Sequence, residues 1–137
     1  MIEYLVNNGY GCLIYKNGTV TQYNGTNLSY IKKICIEYLF TFEGYTQAVQ
    51  KKLGKQYKIP LFIDGELMLI PLKRIRDYDN IWINIAAIAN IFEQKNAIEI
   101  VFESQRKLQI NISMKSLRKQ IKHLEVIQNA KVKHFHF

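Results

Sequence analysis

The clearest pattern in the chain is a pair of apolar runs separated by two turn-forming residues. Residues 59–70 read Ile-Pro-Leu-Phe-Ile-Asp-Gly-Glu-Leu-Met-Leu-Ile, with Asp64-Gly65 at the centre. An Asp-Gly pair favours the tight turns with positive φ that join antiparallel strands. The sequence therefore predicts a β-hairpin over residues 59–70.

Other short runs of strand-forming residues alternate with turn residues. Residues 12–15 and 19–23 flank Lys16-Asn17-Gly18, and residues 98–102 and 108–112 flank a polar loop, so each pair predicts a further hairpin. Residues 2–6 predict a short strand. Residues 81–92, which are alternating or continuously apolar, predict one central strand with a buried Trp82 and a bend at Ala86-Ala87.

Three segments instead carry apolar residues at helical spacing. One helix is predicted from Leu28 to a stop before residues 41–44, and a short basic one over residues 45–53. Ser113 is suited to cap a third, which should run to about Ile127. We expect one α+β domain over residues 1–128, with an antiparallel hairpin-built sheet of about seven or eight strands and about three helices. Residues 129–137 are expected to form a disordered C-terminal tail.

Charge is distributed in blocks along the chain. The formal net charge is +8, and it arises from residues 44–76, at +5, and residues 104–137, at +7, around an acidic stretch. Residues 77–103 carry −4, and residues 1–43 are neutral. Two basic blocks around an acidic one predict polyanion binding, although such charge also serves solubility alone.

The second basic block has a helical pattern. In the predicted third helix, Lys115, Arg118, Lys119 and Lys122 fall on one side, opposite the apolar face. Glu125 is the one acidic residue beside them, so most of this charge has no partner at a spacing of four residues. The segregation exceeds what charge balance requires, although a charged face on a terminal helix usually serves solvation.

The residues carry no pattern typical of an enzyme. There is no nucleophile elbow, no Cys-x-x-Cys pair and no His-Glu-x-x-His spacing. His134 and His136 offer two metal ligands without a third, so we predict no catalytic residue, no metal site and no cofactor. The chain has neither a membrane-spanning run nor a signal-peptide pattern, which predicts a cytoplasmic protein with reduced Cys12 and Cys35 that serve packing.

Several of these segments resemble, in order, the ComK family of bacterial competence transcription factors. The resemblance covers roughly residues 40–125 and includes a basic segment, Lys51-Lys52-Leu53-Gly54-Lys55, and a strand ending in Asp64. A second strand ending in Pro71 and a third opening with Ile81-Trp82-Ile83 follow it. The resemblance implies a DNA-binding regulator of AT-rich promoter boxes, largely through the minor groove, as a homodimer or higher oligomer on DNA.

The resemblance and the charge together nominate the basic residues as contacts to AT-rich double-stranded DNA. Arg74 and Arg76 are the candidates for a narrow minor groove, where the negative potential is strongest. An alternative is a non-enzymatic protein-interaction module with an incidental basic surface, and an RNA-binding module is a third. The candidate DNA-binding residues are Lys51, Lys52, Lys55, Lys58, Lys73, Arg74, Arg76, Lys115, Arg118, Lys119 and Lys122.

Overall fold

Nine strands and three α-helices lie in residues 1–135, the part of the chain that this computed structural model describes. A 3₁₀ helix (Ile85–Ala87) separates β6 from β7. Along the chain the elements are β1 (Ile2–Asn8), β2 (Gly11–Lys16), β3 (Thr19–Tyr23), α1 (Asn27–Glu37), α2 (Phe42–Leu53), β4 (Leu61–Asp64), β5 (Leu67–Pro71), β6 (Ile81–Asn84), β7 (Ile88–Gln94), β8 (Ala97–Phe102), β9 (Lys107–Ile110) and α3 (Met114–Phe135).

The strands form two antiparallel sheets. Six of them pair in the order β3-β2-β1-β6-β5-β4, and β7, β8 and β9 form a three-stranded sheet. The α+β class, the antiparallel hairpins and the approximate number of elements predicted from the sequence are confirmed. The division into two sheets was not predicted.

An apolar cluster lies on each face of the six-stranded sheet. Leu5 and Trp82 face α1, α2 and the second half of α3, and Trp82 is fully buried as predicted. Their chain neighbours Tyr4 and Ile83 face the three-stranded sheet and the first half of α3. This alternation follows from the period of two in a β-strand. Both faces are covered at β5 and β6, and these strands read as almost continuous apolar runs, whereas β3 at the edge is mostly exposed.

The apolar run at residues 81–92 is not the single central strand that we predicted. The chain leaves the first sheet at Asn84 and enters the second at Ile88, so that the predicted bend becomes a change of sheet. The fully buried Asn84 side chain donates to the carbonyl oxygens of Ile2 and Glu66 and accepts from the N–H groups of Met68 and Ala86. These four bonds stabilise the 3₁₀ turn in place of a continued strand.

The hairpin over β4 and β5 is confirmed, but its turn differs from the prediction. Asp64 pairs with Leu67, so the turn residues are Gly65 and Glu66. Gly65 is not among the residues with positive φ. The Asp64 carboxylate accepts the N–H of Glu66 at 2.8 Å, and this local bond closes the turn without a left-handed glycine.

Two helix boundaries also differ from the prediction. The second helix begins at Phe42 rather than Tyr45, because the Thr41 side chain caps it by accepting the N–H of Gly44. The third helix continues past Ile127 to Phe135, so the tail predicted from residue 129 is helical within the described residues. Packing extends this helix, since Ile127 is buried and Lys131 bonds the Phe62 carbonyl.

None of the helices in residues 1–135 is both long and apolar enough to cross a membrane.

Side chains cover the outer edge of β4, the last strand of the six-stranded sheet. The Tyr45 hydroxyl donates to the carbonyl of Pro60 at 2.7 Å and accepts the N–H of Phe62 at 3.0 Å. The ammonium of Lys131 donates to the carbonyl of Phe62 at 3.2 Å. An uncovered edge would invite pairing with another chain, so α2 and α3 protect this one through two side chains.

A buried polar cluster joins the two sheets. Glu3 of β1 is only 2% exposed, and its carboxylate accepts from Arg106 Nε at 2.8 Å and from the Ser104 hydroxyl in the β8–β9 turn. The Arg106 guanidinium lies 5.0 Å from the centre of the Tyr15 ring. Because these contacts join residues about a hundred positions apart, the sequence did not indicate them.

Both cysteines are unpaired and fully buried in the cluster against α1 and α2. Burial raises the pKa of each thiol to about 11, because the apolar surroundings disfavour the thiolate. Buried thiols of this kind act as small apolar side chains.

Candidate nucleic-acid interface

The first group of candidate residues begins at the C-terminal end of α2. This helix ends at Gly54, whose φ of 83° few other residues adopt readily and whose N–H bonds the Gln50 carbonyl at 2.9 Å. Lys51 lies in the last turn, where a positive charge interacts favourably with the helix dipole. Lys51 and Lys55 are exposed and line one shallow depression together with Gln47 and Gln50.

The chain after α2 brings an aromatic ring into this basic region. Tyr57 is 60% exposed, and its ring contacts two cations, Lys55 Nζ at 5.5 Å and the Arg74 guanidinium carbon at 5.3 Å from its centre. Such contacts hold long, flexible basic side chains near one position. Tyr57 therefore connects cations from two loops that are far apart in the sequence.

The loop that carries Arg74 and Arg76 is a compact turn rather than an open chain. Asn80 is fully buried; its side chain accepts the N–H of Lys73 at 2.8 Å, and its own N–H bonds the Asp77 carbonyl at 3.1 Å. Asn27 of α1 donates to the Asn80 carbonyl at 2.8 Å. This buried amide pair ties the turn to α1.

Only one of the basic residues in this loop is neutralised by a neighbouring acid. Lys73 pairs with Asp79, and this bond lowers the pKa of the Asp79 carboxyl. Pairing of Arg74 with Asp79 or of Arg76 with Asp77 was the alternative explanation for these charges. Within residues 1–135 neither arginine has a carboxylate within 4 Å.

The structure brings together only part of the predicted first group. Arg74 and Arg76 line a groove with Tyr57, and that groove shares Gln47 and Gln50 with the depression beside Lys51 and Lys55. We call Lys51, Lys55, Tyr57, Arg74 and Arg76 the α2–loop surface.

The remaining lysines of the first group lie apart from this surface. Lys52 lines a separate depression between α2 and α3, together with Ile127 and Lys131. Lys58 is half-buried, and Lys73 is held by Asp79. These three lysines are therefore less available to an anion at the α2–loop surface.

The second group lies on α3. The Ser113 hydroxyl accepts the N–H of Ser116 at 3.1 Å, which confirms the predicted cap. The four predicted basic residues are exposed and line one shallow depression together with Glu125. We call them the α3 face: Lys115, Arg118, Lys119 and Lys122.

The α3 face places positive charge near the N-terminal end of its helix, where the helix dipole disfavours it. The first turn of α3 contains no acidic residue, and Lys115 lies there beside the positive end of the helix dipole. This arrangement costs some helix stability, but it concentrates positive potential for an anion. His123 adds little charge, because burial first and Lys119 second lower the pKa of its imidazole, which is mostly neutral at pH 7.

A metal centre finds no support in the described part of the chain. In residues 1–135, no group of three or more His, Cys, Asp and Glu side chains is arranged to hold a metal ion. Of the predicted two-ligand pair, His136 lies outside the described residues, and α3 carries the backbone of His134.

Sequence reasoning missed Tyr57 and Asn80. Tyr57 lies between Lys55 and Lys58, and an aromatic residue among basic ones is itself a signal for nucleic-acid binding. Asn80 gave no such signal, because its role depends on Asn27 and Lys73 in the folded chain.

A comparison with protein families gives a match over most of the chain. The family model described as "ComK protein" matches residues 5–133 of the 137-residue chain. This is wider than the range of roughly 40–125 over which the resemblance was noted, because it includes part of β1, all of β2, β3 and α1, and most of α3. No curated protein and no solved structure gives a match.

Proposed function

The chain belongs to the ComK family of competence transcription factors, and we propose that it regulates transcription in the cytoplasm by binding AT-rich double-stranded DNA. The family is one of transcription factors and not of enzymes. The observation that carries the proposal is the α2–loop surface, where cations from separate segments converge around one exposed ring. Its four basic residues have no carboxylate within 4 Å in residues 1–135, so their charge is available to phosphates.

Preorganisation supports the proposed role of Arg74. The Tyr57 ring contacts Arg74, and the Tyr57 carbonyl accepts the N–H of Ile75 at 3.5 Å. The turn that follows is tied to α1 through Asn80. A basic side chain that is already positioned loses less conformational entropy on binding than a free one.

The minor groove is the proposed site of entry for Arg74 and Arg76. AT-rich tracts have a narrow minor groove with enhanced negative potential, which attracts inserted arginines. A guanidinium is also more weakly hydrated than an ammonium and enters a confined groove more readily. Lys51 and Lys55 would then contact the phosphates that border the groove.

The α3 face is the second proposed contact with the DNA backbone. Its four exposed cations and the positive end of the helix dipole attract phosphates without reading base identity. We further propose that the protein binds DNA as a homodimer or higher oligomer, as the ComK resemblance implies. Sedimentation of the protein with one duplex would give the number of protomers bound.

Fluorescence polarisation with labelled oligonucleotides tests the proposal. AT-rich duplex, GC-rich duplex, single-stranded DNA and double-stranded RNA of one length would be titrated at one salt concentration. We expect AT-rich duplex to bind most tightly. Equal affinity for all four probes would indicate only non-specific electrostatic attraction and would contradict the proposed preference for AT-rich duplex. Absence of binding would favour the protein-interaction module, and preference for either RNA or single strands would favour a different nucleic-acid partner.

A further inference from the structure

A large apolar groove lies away from the basic surfaces. It has a volume of about 710 Å³ and is formed by the corner between α1 and α2, the β4–β5 hairpin and the end of α3. Leu39 and Val132, at 93% and 55% exposed, lie on its lining. The other lining side chains are mostly aromatic or aliphatic and include Phe40, Tyr45, Phe62 and Ile63.

One cation, Lys131, lines this groove, and the Asp64 carboxylate in the same lining does not pair with it. Its ammonium lies 4.8 Å from the ring centre of Phe40, 5.2 Å from that of Tyr45 and 5.7 Å from that of Phe62. It donates one hydrogen bond, to the Phe62 carbonyl, and within residues 1–135 no carboxylate lies within 4 Å of it. Burial lowers the pKa of Lys131, since the apolar surroundings disfavour its charge.

Other polar side chains that line the groove already have partners. The Tyr45 hydroxyl donates to Pro60 and accepts from Phe62, and the Asp64 carboxylate accepts from Tyr38 and from the N–H of Glu66. A peptide would bury backbone groups that need new partners, and the edge of β4 is occupied. The groove therefore suits a ligand with one polar end and a body free of hydrogen-bonding groups.

We propose that this groove binds a medium-chain carboxylate, with the carboxylate on Lys131 Nζ and the hydrocarbon chain against Phe40, Leu39 and Val132. The volume lies within the range of small-molecule sites, which are mainly apolar with a few placed polar groups. A carboxylate would give Lys131 an ion pair, which it lacks within residues 1–135. The site is separate from the α2–loop surface and does not depend on DNA binding.

Calorimetric titration of the full chain with three probes tests the charge and the tail separately. Octanoate carries both, octan-1-ol has the tail without the charge, and acetate has the charge without the tail. We expect octanoate to bind about tenfold or more tightly than octan-1-ol, and acetate not to bind detectably. Equal affinity for octanoate and octan-1-ol would overturn the proposal, as would binding of N-acetyl-Leu-Phe acid in preference to octanoate.

Two variants locate the site. Lys131→Met should remove the preference for octanoate over octan-1-ol. Because that change also removes the bond to Phe62, Val132→Asp provides a second test at an exposed lining position. Its carboxylate should repel octanoate and weaken binding about tenfold, whereas Val126→Asp, elsewhere on the exposed surface of α3, should not. Unchanged octanoate binding by folded Val132→Asp would contradict the assignment of this groove.

Discussion

At the scale of single residues, Trp82 occupies the centre of the larger apolar cluster. Its side chain is fully buried, and its ring meets that of Phe42 edge-on at 6.3 Å between centres. Trp82→Ala would empty this space and should lower the free energy of unfolding by about 3–5 kcal/mol. Phe92→Ala is the control, since Phe92 is a half-exposed aromatic residue on a strand. This substitution should lower the free energy of unfolding by about 1 kcal/mol or less. Urea unfolding measures the effect of both substitutions. If Trp82→Ala lowered the free energy of unfolding by only a few tenths of a kcal/mol, Trp82 would not be in the core.

The Tyr45 hydroxyl is a second residue with a measurable role. Tyr45→Phe leaves the Pro60 carbonyl and the Phe62 N–H without their partner at a buried edge. An unpaired buried polar group costs about 1–3 kcal/mol, and we expect a loss of stability in that range. Tyr57→Phe removes the same hydroxyl group from an exposed ring and should change the free energy of unfolding by no more than about 0.5 kcal/mol. Equal stability of the two variants by urea unfolding would contradict the role given to Tyr45.

These residues show what the sequence could reveal at this scale. Trp82 was predicted to be buried, because it lies in a long apolar run between turn residues. Asn84 and Glu3 each alternate with apolar neighbours, as solvent-facing strand positions do, yet both are buried through distant partners. Side-chain period reports which face a residue occupies, and it does not report whether a second layer covers that face.

At the scale of elements, we expect the two basic surfaces to have different roles in DNA binding. The α2–loop surface presents arginines from a compact turn, whereas the α3 face presents charges on an exposed helix. We therefore expect Arg74→Ala with Arg76→Ala to abolish the preference for AT-rich over GC-rich duplex. Replacing the four α3 cations by glutamine should instead weaken both duplexes about equally, because phosphate contacts carry no base information.

The measurement is a duplex titration of each variant at one salt concentration. Lys33→Ala with Lys95→Ala is the charge-matched control, since it removes two exposed cations outside both surfaces and should retain the preference. If the α3 variant loses the preference while the arginine variant keeps it, the reading surface has been assigned to the wrong element.

Hairpins and amphipathic helices could be predicted because their signals are local. The pairing of β4 with β5, of β2 with β3 and of β8 with β9 follows from short turns between apolar runs. The division into two sheets could not be predicted, since β6 and β7 lie in one mainly apolar run and the contacts of Asn84 at the break form only in the fold. The α2–loop surface was predicted in part, because its lysines and arginines cluster in sequence while Tyr57 joins them only in the fold.

At the scale of the whole molecule, the net charge is +8, and the α2–loop surface and the α3 face each contribute four exposed cations. The α2–loop surface and the α3 face share none of their lining residues. The phosphate contacts proposed for the two surfaces therefore involve different residues. Two anchored basic surfaces would orient the domain on a duplex, and minor-groove entry by the arginines would then favour AT-rich DNA.

The most direct test of duplex binding is the salt dependence of the association constant for an AT-rich duplex. Each phosphate neutralised on B-DNA contributes about −0.9 to the slope of log K against log salt, so four to eight contacts predict a slope between about −4 and −7 per protomer. We expect a straight line in that range, and a smaller slope when the α3 cations are replaced by glutamine. An affinity that is flat between low and physiological salt would contradict the claim that these basic surfaces bind DNA.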